Sequence, residues 1–183
     1  MMTEKEKMLA GEFYQAFDKE LVEERNYAKK LCHKFNMTDP SEQEKKIEIL
    51  KKLFRTDKSC WIEPPFYCDY GYNIKIGENF YANHGCIILD VNEVKIGNNV
   101  LLAPGVKIST ATHPIDPVER AKGNEYALPI EIGDNVWIGA GAIIVPGVKI
   151  GANTVIGAGS VVTKDIPENV VAVGNPCKVI RKI

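Results

Sequence analysis

The chain has 183 residues, of which 45% are hydrophobic and 26% charged, and its formal net charge is −1. A chain of this length and composition can form one domain core and carry an appendage. The small net charge excludes a global field that would recruit nucleic acid or an anionic membrane, so we expect neither partner.

The chain begins with alternating charges rather than with the apolar stretch of a signal peptide. No apolar run approaches the roughly 20 residues that a transmembrane helix requires. The cysteines are odd in number and include no CxxC pair; they are Cys32, Cys60, Cys68, Cys86 and Cys177. This pattern argues against a disulfide framework and a thiolate zinc site, and it is typical of reduced thiols in a cytoplasm.

Residues 1–58 are predicted to form a helical cap. An early apolar series recurs at roughly helical spacing and comprises Met8, Leu9, Phe13, Phe17 and Leu21. A second helix is predicted after Pro40, where Ser41 and Glu44 have the spacing of a capping box. Its apolar stripe comprises Ile47, Leu50, Leu53 and Phe54. A helix with one apolar stripe packs against a larger body, which we expect to be residues 59–183.

From about residue 74 the chain consists of six-residue units, such as IGDNVW, IGAGAI and IVPGVK from Ile132 onward. This period predicts a parallel β-helix in which three units form one triangular coil. Residues 18 apart should then stack, placing Ile132 over Ile150, Ile138 over Ile156 and Ile144 over Val162. An α-helix is excluded, because a six-residue spacing drifts around a helix with 3.6 residues per turn and the repeated glycines would destabilise it.

The six-residue period is interrupted once, over residues 114–129. Prolines and a glycine prevent this segment from continuing the coil, so we predict a loop extruded from the solenoid. Loops of this length that lack structure of their own are usually functional or disordered. His113 stands directly before the interruption.

Six stretches are more specific sequence motifs than the repeat: CDYGYNI at 68–74, FYAN at 80–83, TATHPIDP at 110–117, NVWIG at 135–139, VTKDIP at 162–167 and GNP at 174–176. Together with the N-terminal cap, they resemble the maltose and galactoside O-acetyltransferases, a family of hexapeptide-repeat acyltransferases, and CDYGYNI and TATHPIDP are most like the maltose type. The resemblance implies a mainly β fold with left-handed coils, and a homotrimer with active sites between subunits. It also implies transfer of an acetyl group from acetyl-CoA to the 6-hydroxyl of maltose, glucose or a related sugar, with no metal required.

The resemblance assigns the chemistry to His113 and Asn83. A neutral imidazole can accept the proton of a sugar hydroxyl as that hydroxyl attacks a thioester, so His113 is the expected general base. Attack on a thioester creates an oxyanion, which the Asn83 amide would stabilise. The residues alone leave two alternatives open, since His113 could be a surface histidine in a turn and Asn83 an ordinary corner asparagine.

On the acceptor side the resemblance points to five residues: Asp69, Arg25, Asp18, Tyr81 and Asp90. Galactoside enzymes commonly carry a serine at the position of Asp69, and a carboxylate accepts hydrogen bonds from sugar hydroxyls. The family pattern is incomplete at Asp18, which is offset by two residues, and next to Asp90, where Val91 replaces a second acidic residue. Glu125 occupies a loop position that is apolar in the galactoside type, so it bears on acceptor choice.

On the donor side the resemblance points to Asn83, Trp137, Ala140, Ala158, Thr163, Lys164, Lys178 and Arg181. Trp137 is the sixth residue of its repeat, outside the core, where an indole can line a groove for coenzyme A. Lysine and arginine are suitable partners for its phosphates. Without the resemblance, Lys178 and Arg181 would be interpreted as ordinary solvated charges.

Three other functions compete with this interpretation. The same fold could acylate another acceptor, such as serine, a nucleotide-sugar amine or another small molecule. A zinc hydratase would need about three converging histidines, and one of the three in this chain, His33, belongs to the predicted cap. A purely structural or ice-binding solenoid would need no extruded His-Pro loop, and the ice-binding type would show threonine ladders, which the repeats lack.

Overall fold

The computed structural model describes residues 2–58 and 60–183, so the predicted domain boundary at residue 59 lies outside the described residues. The helices are α1 (Glu4–Ala10), α2 (Lys19–Asn36), α3 (Gln43–Phe54) and α4 (Pro117–Ala121). The strands are β1 (Tyr14–Gln15), β2 (Cys60–Ile62), β3 (Tyr67–Cys68), β4 (Ile74–Lys75), β5 (Phe80–Ala82), β6 (Ile87–Leu89), β7 (Val94–Ile96), β8 (Leu101–Leu102), β9 (Lys107–Ser109), β10 (Ala111–Thr112), β11 (Asn124–Ala127), β12 (Ile130–Ile132), β13 (Trp137–Ile138), β14 (Ile143–Ile144), β15 (Lys149–Ile150), β16 (Val155–Ile156), β17 (Val161–Val162), β18 (Val170–Val173) and β19 (Lys178–Lys182). None of the helices in the described part of the chain is long and apolar enough to cross a membrane.

The predicted parallel β-helix is confirmed. Face 1 consists of β4, β7, β12 and β15, face 2 of β2, β5, β8, β13, β16 and β18, and face 3 of β3, β6, β9, β14 and β17. The predicted stacking is also confirmed, because Ile132 pairs with Ile150, Ile138 with Ile156 and Ile144 with Val162. β19 turns back and pairs with β18 in antiparallel orientation. The aliphatic side chains of successive coils form one continuous core.

The β-helix begins before the six-residue repeat can be recognised in the sequence. β2 already pairs with β5, through Cys60 and Phe80, although the six-residue sequence repeat begins only near residue 74. The first coil lies within the span 59–183 expected for the β-helix, but it lacks the isoleucine–glycine pairs that mark later units. The cap packs on this coil, and Leu50, Leu53 and Phe54 of α3 belong to the same apolar core.

Two details of the predicted cap are wrong. The Ser41–Glu44 capping box does not form, because the Ser41 hydroxyl donates to Asp39 Oδ1 at 2.6 Å and α3 begins without a side-chain cap. The Asp39 carboxylate, two residues before Ser41, accepts the hydrogen bond of this hydroxyl. The hydroxyl therefore does not cap the N-terminus of α3. The early apolar series is not one helix either, since Gly11 takes a left-handed conformation (φ 77°) that ends α1.

The N-terminal coils are longer than the C-terminal ones, and the difference lies at one corner. From Tyr67 to Lys75 and from Ile87 to Lys95 the chain uses eight residues between stacked positions of faces 3 and 1. The equivalent step in the C-terminal coils, from Ile143 to Lys149, uses six. We call this place, formed by residues 69–73, 90–93 and 110–129, the lengthened corner.

The segment predicted as an extruded loop, 114–129, leaves the solenoid at the lengthened corner, but it has structure of its own. β10 and β11 form an antiparallel hairpin, and α4 lies between them with Asp116 as its N-cap. β11 also pairs with β1 of the cap, so one strand joins the hairpin to the N-terminal segment. The pairing supplies the backbone hydrogen bonds that a structureless loop would leave to water. We call residues 111–127 the extruded hairpin.

Candidate active site

His113 directly follows β10 at the base of the extruded hairpin, and its side chain is exposed. The strand before it is held by pairing of Thr112 with Tyr126. Within the described residues its ring makes no hydrogen bond. An imidazole on a paired strand end with both nitrogens free can exchange a proton with a bound molecule.

Asn83 follows β5 at the corner between faces 2 and 3, and its side chain is half-buried. The backbone N–H of His84 donates to Asn83 Oδ1 at 2.7 Å. Because an N–H requires an acceptor, this bond orients the amide so that its NH₂ group remains as the free donor. The arrangement suits a group that donates to a developing negative oxygen.

Asp69 begins the first turn of the lengthened corner. Burial raises the pKa of its carboxyl, and the nearby Glu125 carboxylate adds to this effect, whereas Arg25 and Lys29 oppose it. The structure therefore brings a predicted acceptor residue on the coil close to one on the cap and one on the extruded hairpin. The mixed charges form a polar site that can both accept and donate hydrogen bonds.

Arg25 is held by the protein itself. Its guanidinium donates to Tyr70 Oη at 2.7 Å and to the carbonyl of Ala16, and it lies over the Tyr70 ring. Burial raises the pKa of Tyr70 to about 12, with Arg25 opposing the rise, so the hydroxyl stays neutral at physiological pH. A planar guanidinium fixed in this way can present its remaining N–H groups in a defined direction.

Two predicted acceptor residues have structural partners instead. Asp18 is the N-cap of α2, and its Oδ1 accepts hydrogen bonds from the backbone N–H groups of Glu20 and Leu21. The Asp90 side chain is 0% exposed and is enclosed by the turn that begins at Asp69. A fully buried carboxylate cannot touch a ligand, so the expectation of direct acceptor contact does not suit Asp90.

Glu125 is tied to the cap by a residue that the sequence did not identify. Tyr14 is almost fully buried, and its hydroxyl donates to Glu125 Oε2 at 2.9 Å. Burial and the adjacent Glu125 charge raise the pKa of Tyr14. The sequence held little signal for this contact, because Tyr14 belongs to a segment that was predicted as helix.

Three of the predicted donor residues, Asn83, Ala140 and Ala158, lie at the corner between faces 2 and 3, on different coils. Gly159 N–H donates to the Ala140 carbonyl at 2.8 Å, and Gly105 N–H donates to the His84 carbonyl at 2.8 Å. Ala140 and Ala158 are exposed on this ladder, and Trp137 beside it is 52% exposed. Open space lies over this ladder, because an added Cβ at Gly141 or Gly159 would meet no atom within 4 Å.

The other predicted donor residues are exposed but lie elsewhere: Thr163 and Lys164 follow β17 at the corner between faces 3 and 1, and Lys178 and Arg181 lie on β19. In the part of the chain that the structure describes, these three cations form no ion pair. Tyr81 is half-buried on face 2 beside Asn83, and it stacks between Trp61 and Leu101. Basic side chains thus lie near the C-terminal end of the solenoid, and the Asn83 amide lies several coils before them.

His113 and Asn83 lie on opposite sides of face 3. Asn83 precedes β6 of that face, and the extruded hairpin leaves the coil after β9. One chain therefore holds the free amide at one corner and the free imidazole at another. Face 3 lies between these two groups.

The histidines do not form a common site. His33 lies on α2, His84 at the corner between faces 2 and 3, and His113 on the extruded hairpin. Among residues 2–58 and 60–183, no three histidine, cysteine, aspartate or glutamate side chains are grouped so that they could hold a metal ion.

Comparison with known proteins identifies the families that this chain resembles. Residues 7–57 match the family model described as "Maltose acetyltransferase hexapeptide capping motif", and residues 129–164 match "Bacterial transferase hexapeptide (six repeats)". A crystal structure of a maltose O-acetyltransferase from Clostridium difficile 630 is 61% identical, with a TM-score of 0.98, over 100% of this chain and 98% of that chain. A galactoside acetyltransferase in complex with coenzyme A is 49% identical, with a TM-score of 0.96, over 100% of this chain and 92% of that one. Galactoside O-acetyltransferase from Escherichia coli (strain K12) is 50% identical over 97% of this chain and 88% of its own length.

Proposed function

The chain belongs to the family of maltose and galactoside O-acetyltransferases, and on this premise we propose how its own residues carry out acyl transfer. It is an acetyl-CoA-dependent O-acetyltransferase. We propose that its acceptor is the 6-hydroxyl of maltose, glucose or a related sugar and that His113 is the general base. The observation that carries this proposal is the exposed His113 ring at the base of a hairpin tied to both coil and cap.

We propose that an elongated anionic donor binds along the corner between faces 2 and 3. Acetyl-CoA supplies an acetyl thioester at one end and phosphates at the other. Lys164, Lys178 and Arg181 suit the phosphate end, because each offers donors that no side chain of the described residues neutralises. The exposed alanines Ala140 and Ala158 leave room for the connecting arm beside Trp137.

His113 performs the proton transfer. A sugar hydroxyl is a weak nucleophile at neutral pH, and it becomes effective when a neutral imidazole accepts its proton during attack. The hairpin positions the ring, because β10 ends at Thr112 and is paired with β11. Such base catalysis contributes about 10²- to 10⁴-fold in rate.

Asn83 stabilises the charge that develops on the carbonyl oxygen. Its NH₂ group is already oriented before substrate binds, because its oxygen is engaged by the N–H of His84. A donor fixed in advance requires no reorganisation during the reaction. Asp69 and Glu125 accept hydrogen bonds from the hydroxyls of the sugar, and their two carboxylates favour an acceptor rich in hydroxyl groups.

The separation of His113 from Asn83 supports a site shared between subunits. In a homotrimer with three-fold symmetry, the lengthened corner of one subunit can face the corner between faces 2 and 3 of the next. Exposed apolar residues beside that corner, including Trp61, Leu101 and Trp137, suit such a contact. The five free cysteines favour a reducing compartment, and we propose the cytoplasm.

The primary test is release of free thiol from acetyl-CoA in the presence of maltose, glucose, a galactoside, serine or an amino-sugar nucleotide. We expect kcat/KM to be highest with maltose or glucose and His113→Ala to lower kcat by about 10²- to 10⁴-fold. His33→Ala is the matched control, because His33 is exposed on the cap and takes no part in the proposed reaction. Wild-type activity in His113→Ala would overturn the mechanism, and preference for serine or the amine would overturn the acceptor.

Subunit mixing tests the shared site. His113→Ala and Asn83→Ala subunits should each be inactive alone. When they assemble together at random, about a quarter of the interfaces combine an intact His113 with an intact Asn83, so activity should return. A monomer in sedimentation, or mixed subunits without activity, would contradict the proposed arrangement.

A further inference from the structure

The lengthened corner encloses one buried charge, the side chain of Asp90. Its Oδ1 accepts hydrogen bonds from the backbone N–H groups of Asp69 at 3.0 Å and Tyr70 at 2.8 Å. Its Oδ2 accepts one from the N–H of Asn73 at 3.2 Å. The Asn73 side chain donates in return to the Asp90 carbonyl at 2.8 Å. One carboxylate thus organises the whole turn that carries Asp69.

No cation compensates this carboxylate by an ion pair in the described residues. The titratable and charged side chains around the turn are Cys68, Asp69, Tyr70 and Tyr72 on the coil and Arg25 and Cys32 on α2. Burial of an unpaired charge is unfavourable, so a side chain that only filled space would be better replaced by a neutral one. We therefore expect the Asp90 charge to stabilise the turn that carries Asp69.

We propose that Asp90 is a positioning residue for the acceptor, which holds the Asp69 carboxylate in the orientation that binds sugar hydroxyls. The inference rests on the proposed function, in which Asp69 contacts the acceptor. Asp90 itself does not contact substrate. It acts through its hydrogen bond to the backbone of Asp69, which belongs to the preceding coil. The two carboxylates share one turn, so their effects on acceptor binding must be coupled.

The charge state of Asp90 should make acceptor binding depend on pH. Burial raises the pKa of Asp90 to about 7, the neighbouring Asp69 charge adds to the rise, and the hydrogen bond from Tyr70 N–H opposes it. Protonation converts one acceptor oxygen into a donor. The oxygen most easily given up is Oδ2, because its bond to Asn73 is the longest of the three. The turn should loosen as the pH falls below about 7, and the acceptor KM should rise.

Asp90→Asn is the direct test. The amide oxygen can still accept from Asp69 and Tyr70, but the NH₂ group would face the N–H of Asn73, donor against donor. We expect the acceptor KM to rise about 10-fold, while the KM for acetyl-CoA stays within about 2-fold of the wild type. The rise of the acceptor KM below about pH 7 should disappear in Asp90→Asn.

A double-mutant cycle with Asp69→Asn separates positioning from general damage. If Asp90 acts through Asp69, adding Asp90→Asn to Asp69→Asn should change the acceptor KM by less than about 2-fold. Thr154→Val is the control for loss of a buried hydrogen bond, because Thr154 is buried in a regular coil and bonded to the Pro167 carbonyl. It should leave both KM values unchanged.

An unchanged acceptor KM in Asp90→Asn would overturn the inference, and so would an increase that is the same in the presence and absence of Asp69. An increase in the KM for acetyl-CoA equal to that for the acceptor would also overturn it, as a sign of general damage. Failure of the proposed function has a different signature, since wild-type enzyme would then release no acceptor-dependent thiol. Far-ultraviolet circular dichroism confirms that each variant is folded before its kinetics are compared.

Discussion

The two halves of the solenoid follow the same repeat but differ at one corner. In the C-terminal coils, residues 130–162, stacked positions on successive coils such as Trp137 and Val155 are 18 residues apart. In the N-terminal coils, residues 60–110, the spacing is 20, as between Tyr67 and Ile87. The extra residues lie at the lengthened corner, and there the extruded hairpin also leaves the coil.

The two halves also bury different side chains. The regular coils bury Thr154 and Ser160 as their polar residues, whereas Asn73, Asp90, Asn92 and Thr110 are buried at the lengthened corner. Asn92 donates to the carbonyls of Ala127 on the extruded hairpin and Met8 on the cap. Regularity therefore provides the frame, and the departures from it hold the groups that we assign to the acceptor.

The largest stability effect is expected in the regular half. Ile138 is 0% exposed and stacks between Leu102 and Ile156. Ile138→Ala leaves a cavity that a rigid solenoid cannot collapse, and it should lower the free energy of unfolding by about 3–5 kcal/mol. Denaturant unfolding measures this change, and the acceptor KM of the folded enzyme should not change. Ile143→Ala, on an outward position of the next strand, is the control and should cost much less.

The buried charge at the lengthened corner should affect stability in a pH-dependent way. The pKa of Asp90 is raised from its usual 3.8 to about 7. Protonation of Asp90 therefore stabilises the folded protein, and this stabilisation is complete below about pH 4 and is lost as the pH rises to about 7. Between pH 4 and pH 7 the free energy of unfolding of the wild type should fall by about 2–4 kcal/mol relative to that of Asp90→Asn. Unfolding free energies measured at intervals from pH 4 to pH 8 check this. Parallel curves for the two proteins would show that the buried carboxylate carries no such cost.

A smaller effect is expected from the asparagine ladder that follows another corner of the coils. Asn153 has φ 56°, and its side chain bonds to Asn135 and Asn169 at 2.9 Å each. Asn153→Gly retains the left-handed conformation and should cost about 1 kcal/mol for the lost hydrogen bonds. Asn153→Ala adds conformational strain and should cost about 2 kcal/mol in total. Equal unfolding free energies for the two variants would show that the left-handed conformation is not strained for alanine.

The smallest effect tests how the cap and the extruded hairpin cooperate. Tyr14→Phe removes the hydroxyl that donates to Glu125 and should cost about 1 kcal/mol of stability. The same change should raise the acceptor KM about 3-fold, because the Glu125 carboxylate loses its fixed position. Kinetics with maltose and with acetyl-CoA separate these two effects. If the acceptor KM is unchanged, the hydrogen bond supports the hairpin only and Glu125 does not contact the sugar.

Most of the regular half could be predicted from the sequence, and the lengthened corner could not. The stacking of Ile138 over Ile156 follows from the repeat, since the same pattern recurs in the coils around it. The first coil has no such pattern, although Cys60 occupies the same kind of position as Phe80. The hairpin was predicted as a structureless loop, because its pairing partner β1 lies about a hundred residues earlier, and local patterns carry no information about such pairing.

The sequence by itself determined the coil, the place of its interruption and the residue types available for acyl transfer. These are local properties, since each six-residue unit and each motif is written in adjacent residues. Only the tertiary structure decided that Asp69, Arg25 and Glu125 lie together, that Asp90 is buried beneath the Asp69 turn and that Tyr14 secures Glu125. Those relations join distant segments, and the free energy of burying and pairing their polar groups exists only once the chain has folded.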